Sequence, residues 1–575
     1  MSSLEQSTAT LSHAGARPAV IRGAELAAVA VGAAVLLAFL GFVGVSADNT
    51  QYLLGAYERS DPGFLTSDWF VRGTESFHPL FEIYMAWWLA LDQLVGGLLL
   101  WYLVNLVWLA FAVWMWLAYL GQRERPVLAM LLVTGMLLVG VRQGWGQYEI
   151  LTGQALPAYL SYPPALMTLV WLCRRRYLPA ACALVVTFFI HHGLGALLLL
   201  CLLGPFLLTL PRERKEVVQV LLGAALVGIS FAGVVVGTLQ RDGGNPADLM
   251  ILFYGRSPHH YAIRFFDIGA HLATLHIFGA ALLLASCLHR IEIRARLIAL
   301  IATIAALCAL GYVFLEHWYV ASYVRLFPYR AIPLLVVINA CLVAVILLDP
   351  SSRRRELGVV LLVVAAGVLF RFHMLLSLGL LAAAVAIRCL RLDETPAPRE
   401  RRAVVTVAVV IGALSLVHLA VTRPPVFFAA WPPPFYGVLG EAFAAHTAPD
   451  DRLIVPPWLT GVRIATNRAI VVNTKSLPMY GQEMVEWAER MQAISGFDPR
   501  LGRDYLAQGA DIWQLYSQGY QARSLADLLA AARRYDAAYI LVTTGSRFHF
   551  EAQGRGLAPI WSSGGYALYR VADIA

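Results

Sequence analysis

Carboxylates crowd the stretch that follows the first apolar run of the chain. Asp, Glu, Lys and Arg make up only 14% of the 575 residues, yet the range 48–82 carries a dense group of acids, Asp48, Glu58, Asp61, Asp68, Glu75 and Glu82. Carboxylates at a membrane surface can take a proton from an acceptor hydroxyl, or bind a divalent cation such as Mg²⁺ or Mn²⁺ that neutralises a phosphate leaving group. The alternative interpretation is that loops outside the cytoplasm simply tolerate acids.

Asp48 differs from the other acids because it directly follows a long apolar run. Desolvation there would make its carboxylate a more capable base, so we predict that Asp48 is the catalytic residue. His78 and Glu82 lie four residues apart and would share a helix face, as a metal pair or an acid/base pair. Helix capping or an interfacial position explains them equally. The candidate metal ligands are Asp68, Glu75, His78 and Glu82.

Cationic and aromatic residues on the same predicted side could hold a phosphate. Lys and Arg are usually enriched in the cytoplasmic loops of membrane proteins, so arginines on the outer side need an explanation. Binding of a phosphate ligand would provide one. The candidate donor-binding residues are Arg256, His259, Arg325, Tyr329 and Arg330. Interface anchoring by Tyr and Arg is the alternative, and paired histidines such as His259-His260 are also common in solvated loops.

Composition identifies the bilayer as the main solvent of this chain. Hydrophobic residues make up 59% of it and the mean hydropathy is +0.65, and apolar runs long enough to cross a membrane recur between residues 24 and 421. No Walker lysine loop, GxGxxG or HExxH motif occurs, which argues against nucleotide hydrolysis. The cysteines lack the paired spacing of a zinc or disulfide framework.

Basic clusters between the apolar runs predict the topology, because short Lys- and Arg-rich loops stay in the cytoplasm. About 13 spans are expected, near residues 24–46, 97–120, 126–141, 156–173, 177–190, 193–210, 217–239, 269–288, 297–317, 328–348, 357–371, 373–390 and 403–422. The range 79–91 is assigned to an amphipathic helix in the outer interface. A cleaved signal peptide is the alternative for the first span, although that apolar run exceeds the usual length.

Because the number of predicted crossings is odd, the C-terminal part of the chain should lie on the opposite side of the membrane from the N-terminus. The chain then has four parts. The tail 1–23 is cytoplasmic, the polytopic domain covers 24–422 with an outer loop at 48–78, a Pro-rich linker covers 423–440, and residues 441–575 lie in the periplasm or outside the cell. The fold class is therefore a mainly α protein of the inner (plasma) membrane with a small C-terminal α/β domain. In that domain, Arg463 and Lys475 could contact an acceptor glycan, and a solvated surface explains them equally.

The arrangement resembles the GT-C superfamily, polytopic glycosyltransferases that take a sugar from a polyprenyl-phosphate donor. The matching features are Ala47-Asp48-Asn49 after the first span, a long first loop, closely paired short helices at 177–210 and an exterior C-terminal domain. The segment from Asp61 to Phe70, and a string of Pro, Arg, Lys-Ser and Glu-Trp residues between Pro456 and Trp487, also look like patterns in uncharacterised bacterial proteins of this kind. The resemblance implies that Asp48 is the catalytic acid. Asn49 departs from the pattern, where a second acid is expected.

The leading hypothesis is therefore transfer of a sugar from a polyprenyl-phosphate donor to a glycan, lipid or protein acceptor on the outer face, with membrane lipid as a partner and no nucleic acid. Asp48 would deprotonate or orient the acceptor hydroxyl while arginines hold the lipid phosphate. A lipid or solute transporter is one alternative, and a non-catalytic scaffold with a glycan-binding tail is the other.

Overall fold

Helices fill the range in which the sequence predicts membrane spans. The computed structural model describes residues 22–574 except 74–77, 242–244, 371, 391–393, 428–430 and 479–480. The first helices are α1 (Gly23–Leu40), α2 (Asn49–Ser60), α3 (Trp69–Gly73), α4 (Pro79–Ala90), α5 (Leu94–Leu120), α6 (Pro126–Val139), α7 (Pro157–Cys173), α8 (Tyr177–Ile190), α9 (His192–Cys201) and α10 (Leu203–Leu208). They continue as α11 (Arg214–Arg241), α12 (Pro258–Tyr261), α13 (Ile268–Ser286), α14 (Ile291–Glu316), α15 (Ala321–Val324), α16 (Ile332–Leu348), α17 (Arg354–Leu369), α18 (Met374–Cys389) and α19 (Pro398–Thr422).

Each of the predicted spans coincides with one or two of these helices. Among the described residues, 7 helical segments are long and apolar enough to cross a membrane, and several shorter apolar helices accompany them. The interfacial segment predicted at 79–91 forms a separate helix, α4, which a turn at Asp92 divides from α5. The prediction of a multi-pass, mainly α protein is therefore confirmed.

The first span is shorter than predicted, because α1 ends at Leu40 and the chain continues in another conformation. Gly41–Phe42 forms a short strand, β1, which pairs in parallel with β2 (Val426–Phe427) just beyond α19. Gly41 has a φ of 69°, and a Cβ there would collide with the backbone of Val426. Only glycine fits this close approach. Asp48 consequently lies at the start of α2 and not at the end of a long apolar helix.

Basic residues from separate loops meet at one end of the bundle. Arg296 donates to the carbonyl of Cys173 (2.8 Å), and Arg388 donates to the carbonyl of Ser286 (2.8 Å). Arg175 pairs with Glu216 (2.7 Å). The loops that sequence analysis assigned to one face are therefore neighbours in space. We call the opposite end of the bundle, which carries the loop after α1, the domain side.

A small α/β domain packs on the domain side. Its helices are α20 (Pro434–His446), α21 (Val462–Thr466), α22 (Gly481–Ser495), α23 (Gly502–Ala507), α24 (Ile512–Ala522), α25 (Leu525–Arg534) and α26 (Arg547–Gly554). Its strands are β3 (Arg452–Ile454), β4 (Ala469–Ile470), β5 (Tyr539–Thr543), β6 (Trp561–Ser563) and β7 (Tyr566–Arg570). The sheet order is β4-β3-β5-β7-β6, with β3 parallel to β4 and β5, and the last strands antiparallel. We call residues 434–574 the tail domain.

The tail domain shares its core with the bundle. One cluster of buried side chains combines Phe253 and Phe327 from the loops of the bundle with Val471, Trp487 and Ile540 from the tail domain. Helix α20 begins at Pro434, inside the range assigned to the linker, and buries Leu439 and Phe443 against the sheet. A shared core of this kind holds the two parts in a fixed relationship.

Candidate functional site

Asp48 lies on a turn that buried hydrogen bonds hold in place. The Asn49 side chain is fully buried and accepts hydrogen bonds from the backbone N–H of Ser46 (2.9 Å) and its hydroxyl (2.8 Å). It also donates to the carbonyl of Ala155 (2.8 Å). An amide can do both, whereas a carboxylate cannot donate. This is why an amide, rather than a second acid, follows Asp48 in this chain.

Asp48 forms an ion pair with Lys475 of the tail domain. Its side chain is 41% exposed and that of Lys475 is 27% exposed, so the contact lies at an opening and not in the core. Lys475 follows the carboxyl end of β4, the edge at which open α/β sheets bind ligands. Lys475 thus contacts the predicted catalytic acid, and its contact with an acceptor glycan stays a prediction.

Buried polar contacts fix the loop that carries Lys475. The Asn473 side chain accepts hydrogen bonds from the backbone N–H groups of Lys475 (3.1 Å) and Ser476 (2.8 Å). The indole of Trp487 donates to the carbonyl of Asn473 (3.0 Å). The backbone of Lys475 is therefore held in place, and the position of its ammonium depends on the torsions of a flexible four-carbon side chain.

Arg256 brings a second cation to the same place. Its side chain is only 7% exposed, it has no ion-pair partner among the described residues, and its Nε atom lacks a hydrogen-bond partner there. Burial lowers the pKa of Arg256 to about 10, and the nearby Asp48 carboxylate partly offsets that effect. The guanidinium lies over the Trp513 ring, 4.9 Å from its centroid. A buried arginine without a carboxylate of its own is prepared to bind an anion.

The charges around Asp48 also act on His259 and Lys475. Burial, followed by Arg256 and Lys475, lowers the pKa of His259 to about 4, so its imidazole is neutral at pH 7. Burial and then Arg256 lower the pKa of Lys475, which the Asp48 carboxylate opposes. Arg256, His259 and Lys475 thus share the electrostatic environment of one carboxylate.

Arg330 belongs to a neighbouring group of buried rings. One of its Nη atoms lies 2.7 Å from His191 Nε2, and the guanidinium lies over the rings of Phe327 (4.0 Å) and Tyr148 (4.9 Å). The ring of His191 lies 5.0 Å from that of His78, whose pKa burial lowers to about 3.

Tyr52 connects the two cationic groups. Burial and Asp48 raise the pKa of its phenol, whereas Arg330 and Arg256 both lower it. Tyr52 therefore lies within electrostatic reach of all three charges. The predicted residues Asp48, Arg256, His259 and Arg330 are therefore close enough to influence common neighbours on the domain side, together with Lys475.

Asp68 and Arg463 have a different role from the predicted ones. Both side chains are buried, with 0% and 1% exposure, and Arg463 Nε lies 2.8 Å from Asp68 Oδ2. Asp68 also accepts hydrogen bonds from the backbone N–H groups of Phe70 (3.0 Å), Val71 (3.2 Å) and Ile470 (3.0 Å). The carboxylate of Asp68 is thus fully engaged, and Arg463 offers no open surface to a glycan. This pair fastens the first loop to the tail domain.

The other predicted metal ligands lie apart from Asp68. Glu82 pairs with Arg59 (3.3 Å), His78 packs against His191 and Tyr52, and Glu75 falls outside the described residues. No group of three or more His, Cys, Asp or Glu side chains within the described ranges could hold a metal ion. The cations beside Asp48 would also repel a divalent ion. The described residues therefore do not fit the predicted Mg²⁺ or Mn²⁺ site.

Arg325 and Tyr329 take positions in the bundle rather than beside Asp48. Burial raises the pKa values of Tyr261 and Tyr319, and the nearby Arg325 partly offsets that effect. Tyr329 is 1% exposed, and its ring lies 6.1 Å from that of Trp145 within the main hydrophobic core. A tyrosine so deeply packed cannot reach a ligand at the opening where Asp48 lies.

The sequence predictions omitted several residues of this region. Tyr52 follows Asp48 by four residues, a spacing that places both on one helix face and was available as a signal. No local pattern marks Trp513, which reaches Arg256 only through the packing of α24. The phenol of Tyr516 on that helix donates to the carbonyl of Gly255 (2.6 Å).

Comparison with known proteins gives one family match and several similar structures. A model described as a domain of unknown function, DUF6798, matches residues 439–494, which include Lys475. No match was found among curated proteins. ArnT from Cupriavidus metallidurans, in the apo state, is 13% identical with a TM-score of 0.43, over 95% of this chain and 97% of that one.

Two further similar structures are larger than this chain. The oligosaccharyltransferase AglB from Archaeoglobus fulgidus, in complex with an inhibitory peptide and a dolichol-phosphate, is 11% identical with a TM-score of 0.48, over 90% of this chain and 69% of that one. The arabinofuranosyltransferase AftD from mycobacteria is 11% identical with a TM-score of 0.44, over 95% of this chain and 40% of that one. All three are membrane glycosyltransferases of the GT-C superfamily, which the sequence resembles.

Proposed function

We propose that this chain is a membrane glycosyltransferase that moves a sugar from a polyprenyl phosphate to an acceptor hydroxyl on the domain side, outside the cytoplasm. The observation that carries the proposal is the convergence of Asp48 with Arg256 and Lys475. Two cations share one carboxylate, so the region holds an excess of positive charge suited to a phosphate.

The proposed reaction needs a base for the acceptor hydroxyl and cations that stabilise the leaving phosphate. Asp48 takes the proton of the acceptor hydroxyl, whose oxygen forms a bond to the anomeric carbon of the sugar. The bond between that carbon and the phosphate oxygen breaks, and its electron pair leaves with the polyprenyl phosphate. Arg256 and Lys475 stabilise the departing charge, with Arg330 and His259 beside them, and the configuration at the sugar carbon inverts.

The orientation is supported by the distribution of charge. The arginine clusters that meet at the opposite end of the bundle fit a cytoplasmic face. The domain side would then open to the outer leaflet, where a polyprenyl phosphate can present its head group to Arg256. The gathering of these groups at one opening argues against a scaffold whose charged residues are scattered.

Mass spectrometry of glycolipids and surface glycans tests this function in cells that carry the intact gene, a deletion, Asp48→Asn or Asp61→Asn. Asp61 lies exposed in the same loop and serves as the matched control. We expect a glycan to be lost in the deletion and in Asp48→Asn and kept in Asp61→Asn. An unchanged glycan profile in Asp48→Asn cells would remove Asp48 from the reaction.

A further inference from the structure

Lys475 occupies one oxygen of the Asp48 carboxylate and leaves less of it open to an acceptor hydroxyl. In the ion pair, Lys475 Nζ contacts Asp48 Oδ1, so the proposed base is engaged by a residue of the tail domain. The contact is half-exposed, and ion pairs of this kind contribute little net stability. Its rupture therefore requires only a modest compensating interaction.

The other charges around Lys475 favour such an exchange. Arg256 lies close enough to oppose the positive charge of Lys475, and Asp48 is the counter-ion that both cations share. A donor phosphodiester that binds Arg256 would place a negative charge beside Lys475 that competes with that of Asp48, and this charge increases as the sugar leaves and the phosphate becomes a monoester. The backbone of Lys475 is fixed by Asn473, so the ammonium can change partners by rotation of its side chain alone.

We propose that Lys475 is a positioning residue that moves from Asp48 to the donor phosphate, and thereby frees the Asp48 carboxylate only when a donor is bound. This inference rests on the proposed phosphate site. It gives the tail domain a specific part in the reaction, because the domain supplies the group that couples donor binding to release of the base.

A double-mutant cycle on binding tests the exchange. The probe is polyprenyl phosphate without a sugar, titrated into the full-length protein in nanodiscs. The variants are Asp48→Asn, Lys475→Met and their combination. Glu489→Gln serves as control, because it removes an exposed ion pair with Arg534 (2.6 Å) elsewhere in the tail domain.

Removal of Asp48 frees Lys475, so Asp48→Asn should bind the probe about tenfold more tightly. In the Lys475→Met background, Asp48→Asn only removes the repulsion between the Asp48 carboxylate and the phosphate. The affinity for the probe should then rise about threefold or less. Lys475→Met alone should weaken binding, Lys475→Arg should restore most of it, and Glu489→Gln should leave it unchanged.

Equal gains from Asp48→Asn in both backgrounds would overturn the exchange while leaving the phosphate site intact. The same holds if Lys475→Met and Lys475→Gln both bind as the unaltered protein does. Absence of binding to the unaltered protein would instead overturn the phosphate site, and the exchange with it.

Discussion

Asp48 and Lys475 are separated by 427 positions in the sequence and form an ion pair between the loop after α1 and the tail domain. A second pair, Asp68 with Arg463, joins the same loop to the same domain, but it is fully buried. The two pairs therefore have different roles. The buried Asp68–Arg463 pair holds the tail domain in place, and the half-exposed Asp48–Lys475 pair lies at the opening that we propose as the active site.

Arg256 should dominate the affinity for a phosphate head group. Because it is buried without a carboxylate of its own, Arg256→Met should weaken binding of polyprenyl phosphate by about ten- to hundredfold. Arg256→Lys keeps the charge but loses the planar contacts with Trp513 and the forked donors, so it should bind with intermediate affinity. Arg500→Met, at an exposed arginine of the tail domain, is the control. Equal affinities for Arg256→Met and Arg500→Met would contradict the assignment.

Asp68→Asn should destabilise the protein without removing any residue of the proposed active site. The substitution leaves Arg463 buried without its counter-charge, which costs about 3–5 kcal/mol. A lower midpoint of thermal unfolding and faster cleavage between α19 and the tail domain by protease would report this loss. The exposed Asp61→Asn should melt as the unaltered protein does. If Asp68→Asn melted at the same temperature as Asp61→Asn, the fastening role would be wrong.

Asn49→Asp tests why an amide follows the proposed base. The carboxylate would face the carbonyl of Ala155, to which the amide now donates, and the lost bond and repulsion should cost about 1–3 kcal/mol. We expect a lower unfolding midpoint, reduced transfer and no new dependence on Mg²⁺. Activity that became stimulated by Mg²⁺ would show instead that the turn can accommodate a second acid as a metal ligand.

Acid should destabilise the fold through its buried histidines. Burial lowers the pKa of His78 to about 3 and that of His259 to about 4, whereas an unfolded histidine titrates near 6.5. As the pH falls from about 6.5 towards 4, the unfolded chain takes up protons that the folded one refuses, so stability declines, by about 2 kcal/mol per histidine at pH 5.

The unfolding midpoint measured between pH 7.5 and 5 checks this dependence. Carboxylates also make the protein less stable as the pH falls. The informative quantity is therefore the difference between His78→Gln and the unaltered protein in how far the unfolding midpoint changes with pH. The variant should lose less stability over that range. Parallel curves for the two proteins would contradict the proposed neutral state of His78.

Much of the fold could be predicted from local patterns. Hydropathy and arginine clusters located the spans, because both signals depend on short stretches of chain. The end of α1 could not be predicted, since Gly41–Val45 is as apolar as the helix before it. Its pairing with Val426–Phe427 is what changes its conformation.

Only the residues that the membrane bundle contributes to the site could be predicted from the sequence. The position of Asp48, and the unusual arginines at 256 and 330, were visible because membrane topology makes charge conspicuous. The pairing of Arg463 with Asp68 and of Lys475 with Asp48 could not be predicted. Nothing near Arg463 or Lys475 in the sequence indicates which of the two acids each cation contacts. That difference arises from contacts across roughly 400 residues of chain, a separation that no local period encodes.

A structure of the full chain in nanodiscs with polyprenyl phosphate would test the central claim most directly. We predict that the phosphate lies between Arg256 and Lys475, with the Asp48 carboxylate released from Lys475 and open to the region where a sugar would continue from the phosphate. A head group bound elsewhere on the bundle, with the Asp48–Lys475 contact intact, would contradict the account.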